Sequence, residues 1–86
     1  MKLIFLDQAW DDYLYWQNAD KIILKKINSL IKEIERTPFE GSGKPEPLKH
    51  NLKGMWSRRL NLEHRIIYRI DNDTIVVYQC RYHYNF

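Results

Sequence analysis

A few side chains in this sequence suit one reaction, the cleavage of a ribose phosphodiester by proton transfer. That reaction needs a base for the 2′-hydroxyl proton, cations to stabilise the phosphorane, and an acid for the departing 5′-oxygen. Glu46 is the candidate base. It lies in Lys44-Pro45-Glu46-Pro47, where a proline on each side restricts the backbone and keeps residue 46 extended. Arg59 and Arg65 are the candidate cations, because guanidinium is planar, permanently charged and able to bind phosphate through two bonds. His83 is the candidate acid, since histidine is the side chain that ordinarily titrates near neutral pH. Lys49 and His50 follow Glu46 closely enough to contact phosphate or a base, and Tyr84 and Phe86 offer rings for stacking. Each residue also has a plainer reading taken singly: a solvated loop acid, a hydrogen-bonded strand histidine, a hydrophobic plug.

A chain of 86 residues must position these groups, and that length fits one domain, 1–86. With 44% apolar and 14% aromatic residues it has the composition of a folded protein, large rings compensating for a small core. The single cysteine excludes an internal disulfide, and the lack of a Cys/His ligand spacing argues against structural zinc. "MKLIFL" has no signal-cleavage pattern and is too short to span a bilayer, so the expected location is the cytoplasm, with no membrane partner. The net charge of +3 is uneven. Residues 1–43 carry six Lys/Arg against seven Asp/Glu, and residues 44–86 carry eight against four. A basic excess on the half that holds the candidate site points to a phosphate-rich partner.

The order of elements reads β-α-α-β-β-β. "KLIFL" at 2–6 is the first strand, and Asp7 is the expected N-cap of a first helix with an apolar stripe of Trp10, Tyr13 and Leu14. Asn18-Ala19-Asp20 breaks it, with Asp20 capping a second helix. There Ile23, Ile27, Leu30, Ile31 and Ile34 recur at helical steps until Arg36-Thr37-Pro38 ends the run. "PFEGSGKPEP" at 38–47 is a loop. Strands are expected at 56–62, 64–70 and 74–84, with a turn at Asp71-Asn72-Asp73. The fold class is therefore α+β: an N-terminal strand, a two-helix hairpin, then a three-stranded antiparallel meander completing a twisted sheet.

Strand alternation sorts the faces. Even positions from Leu60 to Tyr82 are nearly all apolar and should meet the helices, with Arg58 and His64 as exceptions. Odd positions gather Arg59, Arg65, Arg69, Arg81 and His83 on the other face, with Glu63 as its one acid on these strands. A three-residue turn at 71–73 keeps the two parities aligned across the last hairpin; a two-residue turn mixes them.

The stretches "TPFEGSGKPEPLKHNLKGMWSRRL", "EHRIIY" and "CRYHY", with the opening "WDDYLYW", resemble the YoeB (Txe) family of bacterial toxins within the RelE/ParE superfamily. The resemblance covers essentially the whole chain. It implies a RelE-like fold and a ribosome-dependent endoribonuclease that cuts mRNA in the A site of the 70S ribosome, with no metal or other cofactor. It implies Glu46 as general base, His83 as general acid and Arg65 as the phosphate-stabilising arginine. Arg59 and Lys49 match further basic contacts, and Tyr84 matches a substrate-contacting residue near the end. It also implies a YefM-like antitoxin whose C-terminal segment folds onto the toxin, pairing of the toxin with itself, and operator DNA bound only through the antitoxin. Asn85 and Phe86 extend this chain past the tyrosine at which family members tend to stop.

Two other functions fit the same fold. A non-catalytic relative of the gyrase-directed ParE branch would need neither Glu46 nor His83. A plain nucleic-acid-binding module would depend on Arg65 in a salt-sensitive way and be indifferent to His83.

Overall fold

A computed structural model of the chain describes residues 1–83. Strand β1 (Lys2–Phe5) leads into helices α1 (Asp7–Ala19) and α2 (Lys21–Arg36). Strands β2 (Glu46–Pro47), β3 (Trp56–Arg59), β4 (Arg65–Asp71) and β5 (Thr74–Gln79) follow, with one turn of 3-10 helix at His50–Leu52. The five strands form one sheet in the order β1-β5-β4-β3-β2. Strands β2 to β5 are antiparallel to their neighbours, and β1 joins β5 in parallel. The expected meander is present, within a mixed sheet that gains a two-residue strand from the loop assigned to 38–47. Pro47 has no N–H for a ladder, which an edge strand such as β2 tolerates.

Helix α2 follows its sequence pattern. Asp20 caps it by accepting hydrogen bonds from the N–H groups of Ile22 and Ile23, and its five periodic apolar residues are all buried. Helix α1 differs from expectation at both points. Leu6 occupies its N-cap with no side-chain bond, and Asp7 is the first helical residue, where its charge suits the helix dipole. The buried face is Ala9, Asp12 and Trp16, not the Trp10, Tyr13 and Leu14 stripe; Trp10 is 49% exposed and Leu14 39%. A hydrophobic pattern passes over an aspartate. Asp12 is buried because its oxygens accept bonds from Gln8 Nε2 and from the Cys80 N–H.

The last hairpin also differs. Asp71 pairs with Thr74, so the turn has two residues, Asn72-Asp73, with Asn72 in the left-handed conformation at φ 56°. Parity therefore reverses at the start of β5: Ile75 and Val77 enter the core beside Ile66 and Tyr68, where Val76 was expected. An irregularity at Ile67/Tyr68 then leaves Tyr78 as an extra residue in β5 and reverses the parity again. Gln79 and Cys80 thus return to the faces that simple alternation assigns. β3 ends early because Asn61 Oδ1 accepts from the N–H groups of Glu63 and His64, closing a turn. β5 stops at Gln79 because Cys80 turns off the ladder. Its N–H goes to Asp12 and its carbonyl to Trp16 Nε1.

Candidate active site

The registers bring Glu46, Ser57, Ile67 and Gln79 into one rank across β2, β3, β4 and β5. Directly paired residues share a sheet face. Two residues further along β3, Arg59 pairs with Arg65, so both arginines point the same way as Glu46. Like charges placed opposite each other on neighbouring strands repel. An anion bridging the two guanidiniums relieves that repulsion, which is the property a phosphate site needs. This face lies opposite the helices, and the core of Leu30, Ile34, Ile66, Tyr68 and Val77 fills the other side.

Glu46 is exposed, and its backbone is braced from beneath. Arg58 points the opposite way from Arg59 and is wholly buried. Its guanidinium donates to Glu33 Oε2 (2.5 Å), Thr37 O (2.6 Å), Glu40 O (2.9 Å) and Ser42 O (3.3 Å), and its Nε to the Tyr68 hydroxyl (3.1 Å). Tyr68 in turn donates to Pro38 O. Burial pushes the Tyr68 hydroxyl's pKa upward, so it remains a donor. Glu33 is held below the ordinary carboxylate range, first by the Ser42 N–H, then by the Ser42 hydroxyl and by Arg58. It therefore stays charged opposite the buried guanidinium. Gly43 completes the brace: its carbonyl accepts the Arg59 N–H at 2.7 Å. A Cβ at this position, where φ is 80°, would lie 3.0 Å from Arg59 O and 3.1 Å from Arg58 Cβ. The loop from 37 to 43 is thus bound to β3, and Glu46 emerges just beyond it. Lys49 is exposed and lines a shallow hollow with Glu46 and His50.

His83 lies on a tail whose backbone is held from three directions. Trp16 Nε1 donates to Cys80 O and Asp12 accepts from the Cys80 N–H. His64 Nδ1 accepts the Tyr82 N–H at 2.8 Å, and the Arg65 N–H donates to Tyr82 O at 2.9 Å. Gln79 Nε2 donates to Arg81 O at 2.8 Å and to His83 O. Between these anchors Tyr82 takes a left-handed φ of 65°. For a residue other than glycine that conformation costs about 1–2 kcal/mol, and it persists where the surroundings over-determine it. The tail is thereby fastened to Gln79, the β5 member of the Glu46 rank.

Arg65 Nη1 donates to the carbonyls of Asn61 and His64, which anchors this guanidinium on the turn between β3 and β4. Arg69 pairs with Asp71 at 3.5 Å and lies over the Tyr78 ring. Arg81 leaves the expected basic face. Past Cys80, where the chain has left β5, its guanidinium stacks on Tyr15 of α1, 3.5 Å from the ring centre, where a cation gains from the aromatic face. Tyr84 and Phe86 lie outside the described residues. A larger groove sits on the other side of the molecule between β1 and the helices, lined by Phe5, Trp10 and Tyr13. Lys32 and Glu35 of α2 also line it.

Sequence reasoning missed the residues that hold this geometry: Arg58, His64, Gln79 and Asp12. Two of them carried a signal. Arg58 and His64 are the exceptions on an otherwise apolar parity, and a polar side chain at a core position must be satisfied by something specific. Gln79 and Asp12 gave no such sign.

An α+β fold that carries Glu46 and a facing pair of arginines on the helix-free face of its sheet is shared with toxins of bacterial type II toxin–antitoxin systems. Residues 5–84 match the family described as the YoeB-like toxin of such systems, and the chain belongs to that family. It is 63% identical to Toxin YoeB of Escherichia coli strain K12 over 84 residues, 98% of this chain and 100% of that one. Among solved structures it resembles a YoeB/ParE toxin from Agrobacterium tumefaciens, with a TM-score of 0.95 at 50% identity, covering 98% of this chain and 100% of that one. It also resembles a YoeB dimer and a YoeB–YefM complex from Staphylococcus aureus. Their TM-scores are 0.92 and 0.90 at 49% and 48% identity, each covering 98% of both chains.

Proposed function

We propose that residues 1–86 act as one domain that cleaves mRNA in the A site of the 70S ribosome and so blocks translation, by metal-independent acid–base chemistry. Glu46 takes the proton from the 2′-hydroxyl, and the 2′-oxygen attacks the scissile phosphorus. Arg65, with Arg59 and Lys49, stabilises the phosphorane. His83 protonates the 5′-oxygen as the P–O bond breaks, leaving a cyclic phosphate or its 3′-phosphate product. Tyr84 contacts the substrate. The observation that carries this reading is the shared face: Glu46 and the Arg59–Arg65 pair point the same way, and the His83 tail is fastened to the same rank through Gln79.

A YefM-like antitoxin holds the protein in check, as the Staphylococcus aureus complex suggests by analogy, and it alone brings the pair to operator DNA. The protein also pairs with itself, by analogy with the dimer. It works in the cytoplasm; among the described residues no helix is long and apolar enough to cross a membrane. Primer-extension mapping of mRNA ends in a translating extract tests the reading. The wild type should give discrete new ends within codons, and Glu46→Ala, Arg65→Ala and His83→Gln should give none while still binding antitoxin. Full cleavage by His83→Gln at equal abundance would refute the assigned acid. Absent cleavage with blocked supercoiling would favour a gyrase-directed function instead.

A further inference from the structure

A histidine that lies past the last strand, outside any helix or ladder, is poorly placed for acid catalysis unless something fixes its backbone. Here four backbone groups of the tail are engaged within three residues: Arg81 O, Tyr82 N–H, Tyr82 O and His83 O. Two of the side chains that engage them are buried polar groups with no other part in the proposed reaction, Gln79 at 2% exposure and His64 at 9%. The Gln79 amide reaches carbonyls two residues apart, so it spans the kink at Tyr82. His64 presents an unprotonated Nδ1 to the Tyr82 N–H. Its ring is fixed by edge contact with Trp16 at 4.8 Å, and its Nε2 faces Glu63 at 3.6 Å.

We propose that Gln79 and His64 are positioning residues for His83: together they form a clip that sets where the imidazole meets the leaving oxygen. The inference rests on His83 being the general acid. A general acid must lie about 2.6–3.2 Å from the atom it protonates, and a misplacement of about 1 Å can cost roughly 100-fold in rate. Both clip residues are buried, with little surface to offer a substrate. Their loss should therefore slow the chemical step and leave binding alone.

The test is single-turnover cleavage on ribosomes programmed with a short message, using two versions of one scissile link. One has the ordinary 5′-oxygen; the other has sulfur bridging at that position. In the second, the 2′-oxygen bonds to phosphorus, the P–S bond breaks, and sulfur leaves with the electron pair as a thiolate that needs no proton. On the oxygen link, Gln79→Met and His64→Leu should each slow the reaction by about 10- to 100-fold, at unchanged half-saturating concentration. His64→Asn keeps an acceptor near the Nδ1 position and should come within about 3-fold of wild type, a rescue that bulk packing alone does not explain. On the sulfur link, His83→Gln and both clip variants should regain wild-type rates. If His83→Gln recovers on sulfur and the clip variants do not, the positioning role is wrong. Wild-type rates for both clip variants on oxygen would overturn it equally. If His83→Gln itself stays slow on sulfur, the acid assignment fails instead. Gln79→Met and His64→Leu alter different elements, so the unfolding of one still leaves the other to decide.

Discussion

On the Glu46 side of the site, one buried guanidinium gathers a loop by donating to Glu33, Tyr68 and three backbone carbonyls. On the His83 side, no single group dominates. Asp12 and Trp16 of α1, His64 at the turn before β4, and Gln79 of β5 each take hold of one or two backbone atoms. The first brace is concentrated and charged, and the second is spread over three elements. A concentrated brace fails all at once when its centre is removed. A distributed one loses geometry piecemeal, so its variants should register in rate more than in stability.

The largest expected effect comes from the centre of the first brace. Arg58→Leu removes the cation beside a partly exposed Glu33 and strands the carbonyls of Thr37, Glu40 and Ser42; each buried acceptor left unsatisfied costs about 1–3 kcal/mol. Urea unfolding measures it, and cleavage should be lost with the Glu46 loop even where the protein remains folded. Asp12→Ala tests the second brace. It removes one acceptor from the Cys80 N–H, a loss of about 1–3 kcal/mol by the same measurement. If Asp12→Ala proves as costly as Arg58→Leu, the contrast between the two braces is broken.

Acid probes the first brace more gently. The Glu33 carboxyl titrates lower in the folded protein than in the unfolded chain, so its contribution is fully present above the usual carboxylate range. That contribution is lost as pH falls through the lower, folded value. Stability should therefore decline on acidification below about pH 4.5, and Glu33→Gln should flatten that part of the profile, as followed by thermal melting against pH. Smallest of all is Asp20→Ala, which removes the α2 cap far from either brace. It should cost about 1 kcal/mol and leave the cleavage rate of the folded protein unchanged.

The elements were legible in the sequence wherever periodicity and capping agreed. Helix α2 is the clearest case: its apolar spacing, its Asp20 cap and its stop before Pro38 all appear as expected. Alternation also put Glu63, Arg59 and Arg65 off the core side. It failed over β5, because turn length and an extra strand residue are set by pairing partners that a single strand does not reveal. Those two departures cancel by Gln79, which is why the face assignment near the site survives while Ile75 and Val77 swap sides. Helix α1 was misjudged for a related reason. Asp12 is buried through a bond to a residue 68 positions away, and no local pattern carries that information. The proposed reacting groups were readable as residue types; the residues that hold them were readable only as exceptions, Arg58 and His64 among apolar neighbours.

The most direct measurement is a structure of the protein on a programmed ribosome, with the A-site message blocked by a 2′-O-methyl group at the scissile nucleotide. A Glu46 carboxylate oxygen should lie about 3 Å from the 2′-oxygen, and a His83 ring nitrogen about 3 Å from the 5′-oxygen on the opposite side of the phosphorus. Arg65 should contact the non-bridging oxygens. A bound message whose scissile phosphate meets neither Glu46 nor His83 would contradict the account.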